Sequence, residues 1–242
     1  MNDARRGNGD GPSGEPGRST RALRSRLSLI LAGMLGLTFV VLAVAVETRP
    51  GLSIDRTTRA LVQSERSPAL EFPMRTLSGI GSGYVLVPLA MISGLVLWRR
   101  SRALGIFMPA LTGGAILAEW LAKWLVARPR PRLGPHAFPS GHVLTSVVVF
   151  GALIYVLWRL VDRPLWRWSG TTGCVLLVLG VAYSRLYLDA HWATDVFGSL
   201  AGGIACLLVA VYCVERDLER CPLSFGRAAS FRERRAETGP RV

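Results

Sequence analysis

The chain has 242 residues, half of them hydrophobic and 19% charged, with a formal net charge of +13 and a mean hydropathy of +0.34. A soluble domain of this length would spread its apolar residues in stripes between polar faces; here they bunch into uncharged runs of 20 or more, which excludes that class. Of the 29 basic residues 28 are Arg, gathered mainly at the ends of those runs as a topology signal, so the charge does not call for a nucleic-acid partner.

Residues 1–22 hold five Gly and two Pro without apolar periodicity and are expected to form a disordered N-terminal tail. Leu27–Val46 is an uncharged run of 20 residues, enough for a helix rising ~1.5 Å per residue to cross a hydrocarbon core of about 30 Å. The segment 47–75 is mixed, and its loosely spaced Ile54, Ala60, Leu61 and Leu70 suggest one or two short helices lying on the outer surface. Thr76–Trp98 is a second run, of 23 residues. Ala103–Ala118 is a third, and it continues through Glu119 and Lys123 to about Val126. Val143–Trp158, Ser169–Ser184 and Val196–Val214 complete a set of six, and a charged tail follows from 215 to 242. The expected fold class is all-α, a six-transmembrane-helix bundle over residues 27–214.

Counting Arg orients the bundle. Nineteen lie on the side holding both tails, Arg99–Arg102 and Arg159–Arg167, and nine on the other, so the first side is cytoplasmic and both termini are inside. Ala43-Val44-Ala45 would suit a signal peptidase, but the apolar run before it is longer than a usual signal core, and an uncleaved first helix is expected. Three of the four Cys lie within apolar runs and there is no C-x-x-C, so they are read as small packing residues.

Three clusters break the apolar pattern with reactive groups. They are Lys123–Pro131, then Pro139-Ser140-Gly141-His142, then Ser184-Arg185 followed by His191 and Asp195. The six-span layout puts all three on one, outer, face of the membrane. Lys123, Arg130 and Arg185 bring three positive charges that suit a multiply anionic group, and the planar fork of Arg matches phosphate. Ser140 and Gly141 precede a helix start, whose free N–H groups and dipole favour an anion. Asp195 follows His191 by four residues, so on a helix its carboxylate faces the imidazole and can hold one ring nitrogen protonated. His142 is then free to act as general acid. Arg128, in an Arg-Pro pair after a span, reads as a boundary marker. Glu119 is open between an ion pair that aims Lys123 and a partner for an Arg elsewhere. His136 is left as a surface residue near the site entrance.

At these residues the sequence resembles the type-2 phosphatidic acid phosphatase family, the lipid phosphate phosphatases related to vanadium haloperoxidases. The signature Lys-x6-Arg-Pro, Pro-Ser-Gly-His and Ser-Arg-x5-His-x3-Asp is matched without a departure from Lys123 to Asp195. The resemblance implies that His191 attacks phosphorus and forms a phosphohistidine, with Asp195 polarising it. It implies that His142 protonates the leaving oxygen and then activates water. Lys123, Arg130, Ser140, Gly141 and Arg185 would hold the phosphoryl oxygens, with no metal or other cofactor required.

The expected activity is that of a multi-pass phosphatase on the outer face of the cytoplasmic membrane, acting on a lipid phosphate or polyprenyl diphosphate. A phosphotransferase with the same site and another acceptor is one alternative. A non-catalytic lipid-phosphate binding or transport protein is another, although binding alone would need only the cations. Oligomeric state is not legible.

Overall fold

The computed structural model describes residues 16–49, 51–132 and 134–220, and every regular element among them is helical. In chain order these are α1 (Pro16–Thr48), α2 (Ser53–Ser64), α3 (Pro68–Ile80), α4 (Gly83–Trp98), α5 (Arg102–Leu125), α6 (Gly141–Leu160), α7 (Pro164–Tyr187) and α8 (Ala193–Arg220). Five helices are long and apolar enough to cross a membrane, and α3 with α4 makes a sixth span, bent by 42° at a short break. The expected all-α six-span bundle is therefore present. Its outward faces carry exposed Leu, Ile, Val and Trp side chains, as a lipid-facing surface does.

The second span departs from the uninterrupted helix expected over Thr76–Trp98. It breaks at Gly81 and Ser82, where Ser82 is extended (φ −75°, ψ 151°) before α4 begins. The cause is tertiary: a Cβ at Gly81 would sit 2.5 Å from the Val181 side chain on α7, so only Gly allows the close approach that the bend produces. The bend keeps Ser78, on the last turn of α3, against the bundle rather than in lipid.

The segment 47–75 holds one short helix, α2, and the first part of α3, which runs on to Ile80 as the first half of the second span. The expected N-terminal tail is helical from Pro16 onward, because Leu23–Thr48 is itself a long apolar span whose helix continues backwards; residues 1–15 lie outside the described set. At the other end α8 carries the chain to Arg220, and the remainder of the expected tail, 221–242, likewise lies outside it.

α6 is the centre of the bundle, packed on α4, α5, α7 and α8. Its buried face of Leu144, Val148, Val149, Phe150 and Ala152 meets Leu104, Phe107, Met108 and Leu111 of α5 in the main core. A smaller cluster of Val46, Val126 and Phe138, backed by Phe39, fixes α1 against the loop that enters α6. Most of the buried polar side chains, Arg128, Ser140, Ser184, His191 and Asp195 among them, gather at one end of the bundle.

Candidate active site

The spans α5 to α8 run in alternate directions, so the end of α5, the start of α6, the end of α7 and the start of α8 share one end of the bundle. All eight expected site residues lie there. His142 is within electrostatic reach of Arg185, His191, Lys123 and Arg130, although these come from four different segments of the chain.

His191 sits in the short loop between α7 and α8 and is 4% exposed. The loop is held tightly: the N–H groups of Ala190 and His191 both donate to the Arg185 carbonyl, at 3.0 and 3.3 Å. Nδ1 of His191 lies 2.7 Å from the backbone carbonyl oxygen of Ala137. Ala137 is in turn fixed by its own N–H, which donates to the Arg128 carbonyl at 2.8 Å. Burial pushes the His191 imidazole below its ordinary value, against the opposing pull of Asp195.

Asp195 is not the direct hydrogen-bond partner of His191. Its Oδ2 stands 3.7 Å from Nδ1, beyond hydrogen-bond distance but close enough for its charge to act. That oxygen accepts instead from the Trp192 N–H at 2.9 Å, a reach-back bond of the kind that fixes a helix start. Oδ1 accepts from Arg128 at 2.6 Å.

Arg128 corrects the reading of it as a boundary marker. It is 1% exposed and donates to Asp195, to Thr194 Oγ1 at 2.7 Å and to Asp55 at 2.5 Å. Asp55, on α2, also accepts from the Thr194 N–H at 2.9 Å. A charge this deep is tolerated only when paired and hydrogen-bonded, and these carboxylates do both.

The cations frame the space beside His191. Lys123 pairs with Glu119 at 2.5 Å, one turn back on α5. Glu119 is thereby placed: it holds the ammonium, and its carboxylate abuts Gly141, where a Cβ would come within 1.9 Å of Oε1. Arg185 donates to Ser78 Oγ of α3. The Ser140 N–H donates to Ser199 Oγ at 2.7 Å, and that hydroxyl donates to the Asp195 carbonyl at 2.7 Å. Arg130 Nε, Arg185 Nε and Ser140 Oγ are buried and have no partner among the described residues. Buried donors left unpaired are costly, and a phosphoryl group accepting from them would remove that cost. His136 is exposed, as expected.

Ser78, Ala137, Asp55 and Ser199 were not singled out in the sequence. Ser78 and Ser199 stand inside apolar runs, Ala137 acts through its backbone, and Asp55 lies in a loop with several other charges, so none carries a local signal. The large groove of about 990 Å³ between α1, α5 and α8 includes Ala103, Ile106 and Asp217 but none of these residues, and on α5 it is lined from Ala103 to Ala115, away from Lys123.

Comparison with known proteins agrees with this fold. Residues 102–219 match the PAP2 superfamily. The chain is 27% identical over 181 residues to phosphatidylglycerophosphatase B of Bacillus subtilis, covering 70% of this chain and 88% of that one. It is 30% identical over 170 residues to dolichyldiphosphatase 1 of Homo sapiens, covering 60% of this chain and 69% of that protein. Among solved structures, the transmembrane PAP2-type phosphatidylglycerolphosphate phosphatase of Bacillus subtilis superimposes with a TM-score of 0.69 at 25% identity, over 76% of this chain and 96% of that one.

Proposed function

The chain belongs to the PAP2 superfamily, and we propose that it hydrolyses a lipid phosphate or polyprenyl diphosphate through a phosphohistidine at His191. The observation that carries this reading is the setting of His191: buried, with Nδ1 on a carbonyl, beside Arg130, Arg185 and a second imidazole that Lys123 also reaches. Simple anion binding needs the cations alone.

In the first step Nε2 of His191 forms a bond to phosphorus while the bond from phosphorus to the leaving oxygen breaks. His142 gives its proton to that oxygen, and the ring of His191 becomes a phosphoimidazolium. Lys123, Arg130, Arg185, Ser140 and the Gly141 N–H hold the equatorial oxygens, where charge shifts in the transition state. In the second step His142 takes a proton from water, the hydroxide bonds phosphorus, and the P–N bond returns its electrons to the ring. Water and ester become alcohol and phosphate, and both His residues are regenerated.

The Arg distribution supports a site on the outer face of a cytoplasmic membrane, where lipid headgroups lie, with both termini inside. Assaying the purified protein on a panel of lipid phosphates and diphosphates tests the reading. Phosphate release from wild type, with none from His191→Ala, is the expected result; transfer of the phosphoryl group to an added alcohol in place of water would replace the hydrolase reading with a transferase.

A further inference from the structure

α2 lies over one end of the bundle, and three of its polar residues reach into it. Asp55, Arg59 and Gln63 recur at four-residue spacing and therefore form one stripe along the helix. Arg59 grips Asp189 with two bonds of 2.7 Å. Gln63 donates to the carbonyls of Leu186 and Tyr187 at the end of α7. Asp55 goes deepest: it is 0% exposed, and it meets Arg128 and Thr194 in the layer behind His191.

The charges in that layer do not cancel. Arg128 lies between two carboxylates, Asp55 at 2.5 Å and Asp195 at 2.6 Å. Without Asp55, Arg128 and Asp195 would form a neutral pair, and Arg128 would mask the carboxylate that stands 3.7 Å from the His191 ring. With Asp55 present, the trio carries a net charge of −1.

We propose that Asp55 is a positioning residue that sets the charge behind the nucleophile: by neutralising Arg128 it leaves Asp195 to stabilise the cationic ring formed when His191 takes up the phosphoryl group. The inference rests on the phosphohistidine reading above. The other charged or titratable groups facing His191 are Arg185 from α7, Arg130 from the loop after α5, and His142 from α6. All three are retained in the variants below, so they do not confound the comparison.

The test compares wild type, Asp55→Asn, Asp55→Asn/Arg128→Met and Arg59→Met as purified full-length proteins, with an aryl phosphate as probe. Rapid quench reads the rate of phosphoenzyme formation, and kcat/KM is followed across pH. Asp55→Asn keeps shape and hydrogen-bonding capacity but loses the charge. It should slow phosphoenzyme formation about ten- to a hundredfold, leave KM within about twofold, and move the acid limb down by several tenths to about one pH unit. The double variant restores the net −1 and should recover part of the rate and the acid limb. Arg59→Met loosens α2 without touching the charged layer and should leave the acid limb in place.

A folded Asp55→Asn with wild-type rate and profile overturns the proposal, and so does an Arg59→Met that reproduces the Asp55→Asn shift. If Asp55→Asn does not fold, the double variant decides: an acid limb near wild type supports the proposal and a lowered one contradicts it. Failure of both to fold makes Asp55 a structural anchor and also overturns it. Absence of phosphoenzyme in wild type is a separate outcome, which defeats the phosphohistidine reading itself.

Discussion

The backbone carbonyl of Ala137 and the Nδ1 atom of His191 are 2.7 Å apart. A carbonyl oxygen can only accept, so Nδ1 carries the ring proton and Nε2 keeps its lone pair. The tautomer that the proposed attack on phosphorus needs is thus chosen by a main-chain atom in the loop before α6. The carboxylate at 3.7 Å contributes field rather than a hydrogen bond.

The pH profile follows from that setting. Burial is the main cause that lowers the His191 pKa, with Asp195 opposing it and Arg185 adding to it. A lowered value means that the neutral, nucleophilic ring persists to more acid conditions than for a free imidazole, near 6.5. The acid limb of kcat/KM, corrected for ionisation of the substrate, should therefore lie below pH 6.5. A limb at or above that value would contradict the buried, neutral nucleophile.

Gly141 and Glu119 set the aim of Lys123. A methyl group at Gly141 would collide with the Glu119 carboxylate, which holds the ammonium. Gly141→Ala should cost up to about 10²-fold in kcat/KM, the scale of a displacement of about 1 Å in a reacting geometry. Lys123→Arg should also lose activity, because a guanidinium is not a compact ammonium. A lysine reagent has one side-chain target in this chain and should inactivate it, with phosphate or vanadate protecting. Full activity in both variants would remove Lys123 from the phosphate shell.

These residues were legible in the sequence because reactive groups stand out against apolar runs, and because each motif is contiguous. The buried layer behind them was not. Arg128 and Asp55 are 73 residues apart, and an Arg beside Pro at a helix end has the same local pattern whether it marks a boundary or anchors a site. The break at Gly81 was equally hidden. Thr76–Trp98 reads as one span, and the neighbour that Gly81 accommodates at the bend, Val181, lies a hundred residues on.

His142 should be separable from His191 by leaving group. An alkoxide leaves poorly without a proton, whereas a nitrophenolate leaves unaided near neutrality. With a lipid alcohol as leaving group, His142→Ala should lose ~10²–10⁴ in first-turnover rate, the usual scale of general-acid help. With a nitrophenyl phosphate the first step should be far less affected, and phosphoenzyme should accumulate because the base for the second step is gone. Equal first-turnover defects on both substrates would mean that His142 works mainly by holding phosphate.

Orientation is open to labelling. In a background without native Cys, single Cys residues at His136, Arg100 and Leu165 should divide by side. An impermeant maleimide applied to intact cells should modify the first and spare the other two until the membrane is opened. The reverse pattern would place the reaction on the cytoplasmic leaflet.

The most direct measurement is to quench the enzyme during the first turnover of a ³²P-labelled lipid phosphate and map the label. A phosphoramidate stable to base, labile to acid and carried by the peptide containing His191 is the expected result, with no label in His191→Ala. Label that survives acid, or a full first-turnover burst in His191→Ala, would contradict the assignment of His191 as the nucleophile.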